Sequence, residues 1–298
     1  GLLALLNIPL LYIGLALVLL PVETLPFLLE SGPDMVNIDA MGSIREGVSL
    51  WCVICCWPTF WSFLANYIAL DVDSPVHLTA LILAGYLVGN TALALSQEFL
   101  QQLNTIELAV SVLDVVLQQA VFVLLALAGA GLFLRRDLAG INSRLGLEIP
   151  TPGQLAIGAV VIVFLILIQG TIGGIWALLD PEQAELLGSL NEALLAGFDS
   201  VGEWFILALA SGTGEEILFR GALQPVFGLP VTSLLFAVVH IQYGLTPITF
   251  VVFFLGLILG IVRRYTNTTV AIFVHFGYNF ALGLLSMLAL YLEQFIPS

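Results

Sequence analysis

From residue 2 onward the sequence is a succession of apolar runs of about 17–25 residues, the length an α-helix needs to cross a bilayer. They fall near 2–22, 48–70, 76–96, 106–134, 153–179, 201–225, 230–243, 246–262 and 268–292. Between them sit short clusters of Pro, Gly and charge, as at Glu30–Asp34, Asp71–Pro75, Arg135–Pro152 and Asp180–Glu182. This pattern predicts an all-α, polytopic transmembrane helix bundle of nine spans, or eight if the first is peripheral. Residues 1–152 are expected to form the N-terminal transmembrane helices and 153–298 a core, in one integrated membrane domain. The run at 230–243 is short for a bilayer, so it must tilt, be buried in protein, or continue past Gly244–Pro247. The start at Gly1 suggests a processed or incomplete N-terminus, and Leu2–Leu20 is read as a spanning helix rather than a signal peptide.

Composition agrees. The chain is 60% hydrophobic and 9% charged, whereas a soluble domain carries about 25% charge. The excess of apolar side chains cannot fit in one water-soluble core, so lipid must solvate much of the surface. The net charge is −14, and all seven basic residues are arginines. That argues against nucleic acid as a partner, since phosphates call for clustered cations. It also argues against a polybasic lipid anchor. The absence of lysine and the short loops suggest a prokaryotic plasma membrane. Cys52, Cys55 and Cys56 share one apolar run and are read as small hydrophobes packing in the membrane.

Arginines bias loops to the cytoplasmic side. Arg135, Arg136 and Arg144 follow the fourth span, and Arg263 and Arg264 follow the eighth, so both loops are expected on one side. Taking that side as cytoplasmic puts the N-terminus inside and the C-terminus outside, with Arg45 as the exception. The stretch 182–199 differs from the spans. Leu186, Leu187, Leu190 and Leu194 repeat at helical steps, and Glu182, Glu185 and Glu192 occupy the rest. It reads as an amphipathic helix in the interface plane, either a connector or a lid.

Three polar motifs interrupt the last third. The sixth span carries Glu215-Glu216 followed by Arg220. One charge at the centre of a membrane helix costs about 2.5–3.5 kcal/mol, so such residues are functional candidates by default. Glu216 and Arg220 are four apart and can pair on one face; Glu215 is turned about 100° away from that pairing. One carboxylate paired and its neighbour unpaired leaves the second free to act as a base, although a buried Glu–Arg clamp between helices would also explain the pair. The seventh span ends in Phe236-Ala-Val-Val-His240, and the last holds His275-Phe-Gly-Tyr-Asn279. His275 and Asn279 share a face. Counted along their helices, all three motifs lie at one depth, roughly 10–17 Å from the same end. The third histidine, His77, sits at a loop edge and reads as an ordinary interfacial residue.

Two carboxylates, two imidazoles and an amide in a shielded pocket suit hydrolysis. Glu215 can take a proton from water that His240 helps hold, and His275 and Asn279 can donate to a developing oxyanion. Ser211 and Thr213 precede the carboxylates without a histidine-adjacent nucleophile pattern.

The motifs Glu-Glu-x-x-x-Arg, Phe-x-x-x-His and His-x-x-x-Asn, in that order over about 200–292, resemble the CAAX protease and bacteriocin-processing (CPBP, or Abi) family. That family includes the Ras-converting type II CAAX prenyl endopeptidases. The resemblance implies an intramembrane glutamic endopeptidase acting on a membrane-embedded or lipidated peptide or protein. It assigns Glu215 and His240 to water activation, Glu216 and Arg220 to support, and His275 and Asn279 to the oxyanion hole, with Phe236 as packing. No cofactor is expected, because Arg220 would repel a cation and no His-Glu-x-x-His helix is present. The alternative is zinc on Glu215, His240 and His275. Other classes fit the same residues: a silent scaffold or accessory subunit of a larger membrane complex, and a proton-coupled transporter. The second lacks repeated halves and paired broken helices.

Overall fold

The computed structural model describes residues 50, 54, 57–67, 70–71, 77, 81, 110–132, 136–240, 247–293 and 295. The expected span near 2–22, that near 76–96 apart from residues 77 and 81, residues 48–49, 51–53, 55–56 and 68–69 of the span near 48–70 (the three cysteines among them), Arg45 and Arg135 lie outside the described residues. So does the Gly244 break.

The described residues form an all-helical protein. In chain order they give α1 (Pro58–Leu64), α2 (Val112–Gly129), α3 (Leu138–Leu145), α4 (Pro152–Leu179), α5 (Pro181–Leu195) and α6 (Val201–Glu216). A π-helical segment (Ile217–Leu223) leads into α7 (Gln224–Val238), followed by α8 (Pro247–Tyr265) and α9 (Thr268–Glu293). Local chemistry sets the starts. At α4, Thr151 and Gln154 form a reciprocal capping box with Pro at the first turn. Ser200 and Glu203 do the same at α6, and Asp137 caps α3 by accepting from Gly140 N.

Four helical stretches among the described residues are long and apolar enough to cross a bilayer: Pro152–Leu179, Val201–Val238, Ile248–Tyr265 and Thr268–Leu292. Val112–Leu127, inside the span expected at 106–134, is apolar but shorter. The outer face of α4 leaves Ile157, Val160, Val163, Phe164 and Leu167 exposed. A ridge of that kind is stable only against lipid or another apolar surface. The chain is an integral membrane protein.

The stretch Val201–Val238 is not one rod. Gly228 sits at φ 75°, ψ 174°, a region almost closed to other residues, and Pro230 follows. The chain turns back there, and the Phe219 and Phe236 rings consequently meet edge to face with centroids 5.2 Å apart. The spans expected at 201–225 and 230–243 are therefore two arms of a helical hairpin. The second arm is shorter than expected: it leaves helical geometry after Val238, so its ten residues cover only about 15 Å. Replacing Gly228 by Val should cost about 1–3 kcal/mol through the backbone alone. A thermal melt of the detergent-solubilised protein, followed by circular dichroism, would register this as an earlier transition.

α6 is the central helix, packed against α9 on one side and α2 on the other, while α7 lies on α8 and α4 on α9. Glycines set how closely α6 is approached. A Cβ on residue 212 would stand 2.9 Å from Phe276 N of α9, and one on residue 214 would stand 2.8 Å from Gln119 Cβ of α2. Small residues at membrane helix contacts serve this purpose. The C-terminal ends of α3 and α8 meet at one end of the bundle. Arg144 donates to Gly221 O at 3.0 Å and Arg263 to Arg220 O at 3.1 Å, and Thr268 N donates to Gly146 O at 2.9 Å. These side chains take up carbonyls of the π-helical segment, whose looser winding frees them from the usual ladder.

Candidate active site

The six candidate residues come from α6, the π-helical segment, the end of the short arm and α9, and the hairpin brings them together. Glu216 Oε2 lies 3.1 Å from Arg220 Nε, with both side chains fully buried. This is the i,i+4 pair the sequence predicts, kept on one face despite the change to π winding. The other Glu216 oxygen, Oε1, lies 3.0 Å from His275 Nδ1. Glu216 therefore ties α9 to the π-helical segment. A carboxylate accepts, so His275 donates from Nδ1. The Arg220 guanidinium also lies over the Phe236 ring, 4.8 Å from Cζ to centroid. Phe236 in turn meets the rings of His240 and His275, at 4.6 and 6.0 Å. More than packing, it is the surface on which one arginine and two imidazoles are oriented.

His240 Nδ1 lies 2.7 Å from the Phe236 carbonyl. A carbonyl only accepts, so Nδ1 carries the proton, and in the neutral ring Nε2 is an acceptor. Nε2 faces Glu215 Oε2 at 3.6 Å, beyond hydrogen-bond reach but close enough for one water seated beside the pair to touch both groups. Glu215 is buried and makes no pair with Arg220. It has a partner that motif reading does not supply: Gln119 of α2 donates from Nε2 to Glu215 Oε1 at 3.2 Å.

Asn279, one turn after His275, donates from Nδ2 to Ser211 Oγ at 3.0 Å. Ser211 in turn donates to Leu207 O at 2.9 Å, so its hydroxyl proton is held within its own helix. His77 accepts at Nδ1 from Asp71 N, 2.8 Å away, a local loop contact.

A cavity of about 460 Å³ lies over the cluster, lined by Glu215, His240, His275 and Asn279. Its opposite walls include Trp176 of α4, Leu187 of α5 and Leu255 of α8. The amphipathic helix expected at 182–199 is thus α5. Leu187 is turned inward while Glu182, Glu185 and Glu192 stay exposed. The site is a walled, largely apolar chamber lined by Glu215, His240, His275 and Asn279, with Gln169 and Asn191 as further polar lining residues, the usual composition of a small-ligand or peptide pocket.

Fold and site together define an all-helical membrane protein with a buried carboxylate–imidazole cluster opening into a chamber. Residues 197–281 match the family model described as type II CAAX prenyl endopeptidase Rce1-like. This is the family that the three motifs resemble, and the match spans all three. It supports a CAAX-type peptidase that acts at the membrane. Comparison with curated proteins and with solved structures finds no match.

Proposed function

We propose that the protein is an intramembrane glutamic endopeptidase that hydrolyses a peptide bond of a membrane-embedded or lipidated substrate with a water activated by Glu215 and His240. The observation that carries this reading is the facing pair of acceptors, Glu215 Oε2 and His240 Nε2, 3.6 Å apart, on two side chains that line the chamber. A water seated beside the pair gives one hydrogen to each and presents its lone pair outward. As its oxygen attacks the carbonyl carbon, Glu215 takes the proton.

The carbonyl oxygen becomes an oxyanion, for which His275 and Asn279 are the donors. With Nδ1 bonded to Glu216, His275 donates from Nε2 as the imidazolium. Asn279 uses one amide hydrogen on Ser211 and keeps the other. Collapse breaks the C–N bond, and Glu215 returns the proton to the leaving amine. Arg220 balances the Glu216 charge and keeps the second carboxylate from becoming a competing base.

The reading includes no metal. The Arg220 guanidinium stands next to the candidate ligands, and among the described residues no three His, Cys, Asp or Glu side chains gather as a ligand set. The arginines of the α2–α4 loop and of the α8 end are assigned to the cytoplasmic face of a prokaryotic plasma membrane, with the N-terminus inside.

Purified protein in detergent, incubated with farnesylated CAAX peptides and with membrane-anchored peptides, tests the reading. Cleavage unaffected by chelator is expected. Chelator sensitivity would replace the metal-free mechanism with zinc on Glu215, His240 and His275. No cleavage of any peptide, with a partner protein co-purifying with wild type and Glu215→Gln alike, would replace the enzyme by a scaffold.

A further inference from the structure

Helix α2 lies outside residues 197–281, the stretch matched by the family model, yet it reaches the site through one side chain. Gln118 and Gln119 are adjacent on an otherwise apolar stretch; Gln118 is exposed and Gln119 is 6% exposed. Only Gln119 points into the bundle. Its Nε2 donates to Glu215 Oε1 at 3.2 Å, while its own Oε1 is buried without a hydrogen-bond partner. Leu would fill this place without an orphaned acceptor. A glutamine stands there at a cost to packing stability, and the bond its amide makes is to the candidate base. The approach depends on Gly214, where a Cβ would stand 2.8 Å from Gln119 Cβ and 2.9 Å from Gln119 O.

We propose that Gln119 is a positioning residue for Glu215: its amide occupies one carboxylate oxygen, Oε1, and so leaves Oε2 as the oxygen turned to His240. A glutamate has three side-chain torsions, and its terminal one is soft. The neighbouring residue Glu216 is fixed from both of its oxygens, by Arg220 and His275. Glu215 has no such pair, and Gln119 supplies the missing constraint. Gln119 does not line the chamber, so it acts on the reaction without touching the substrate. The inference rests on Glu215 being the base.

Gln119→Leu tests it in the full-length protein. With a farnesylated CAAX peptide, kcat should fall by up to about 100-fold, the effect of a small misplacement of a reacting group, with KM within about twofold because the chamber wall is unchanged. The melting temperature should hold or rise. A readout independent of turnover is the infrared carboxylate band of Glu215, isolated by subtracting the spectrum of Glu215→Gln; in Gln119→Leu this band should shift. An unmoved band overturns the inference, and so does full kcat with a shifted band. Cleavage that survives Glu215→Gln overturns the proposed mechanism instead. If no peptide is cut even by wild type, the infrared band still decides whether Gln119 holds Glu215.

Discussion

Glu215→Gln should abolish peptide cleavage, lowering kcat by about 10²–10⁴-fold, the range supplied by a positioned general base, while the protein remains folded. Gln has the same shape and fills the same place beside His240, so the chamber and its affinity for peptide should survive. It cannot take a proton from water. Removing a buried carboxylate that lacks a cationic partner also relieves desolvation, so the melting temperature should be unchanged or higher. Parallel kcat and thermal-melt measurements on the purified variant check both halves. Full activity would exclude Glu215 as the base, and joint loss of activity and fold would make it a structural residue.

Arg220→Ala should be the most damaging change to stability. The side chain is fully buried against Glu216 and over Phe236, and its loss strands the Glu216 carboxylate. Breaking a buried ion pair from one side costs about 3–5 kcal/mol. Replacing both partners by apolar residues of similar size, as in Glu216→Leu with Arg220→Met, should recover most of that loss, because neither charge is then stranded. Activity should not return, since His275 no longer has a carboxylate on Nδ1. Unfolding titrations in mixed micelles give the stabilities, and the peptide assay gives the second readout. A double variant that cleaves normally would remove Glu216 and Arg220 from the mechanism.

Much of the C-terminal half is legible in the sequence. The α4 and α9 boundaries fall within a residue or two of the apolar runs, because Thr151-Pro152 and Thr268 stand at their starts. The Glu216–Arg220 contact and the shared face of His275 and Asn279 follow from i,i+4 spacing, which π winding does not overturn. The hairpin is announced by the Pro and Gly residues between 225 and 230.

What stays hidden is what depends on a second helix. Periodicity shows that Gln119 interrupts an apolar stretch, but an interrupted stretch has no address; only packing at Gly214 brings it to Glu215. The same holds for Arg144 and Arg263, which the sequence presents as markers of sidedness. In the fold they also donate to Gly221 O and Arg220 O, bracing the segment that carries the site. The role of Phe236 as a common surface for Arg220, His240 and His275 needs three elements at once and leaves no trace in spacing.

The short arm that ends after Val238 has a thermodynamic corollary. Ten helical residues cover about half of a hydrocarbon layer of about 30 Å, and the last carbonyls of any helix have no partner within it. In lipid such an end is tolerated only where protein or a wet cavity receives it. His240 stands at that end and on the chamber wall. There the chain satisfies its own terminus: the His240 N–H and Nδ1 hold the Ala237 and Phe236 carbonyls, so the place where the helix stops is also what aims the imidazole at Glu215.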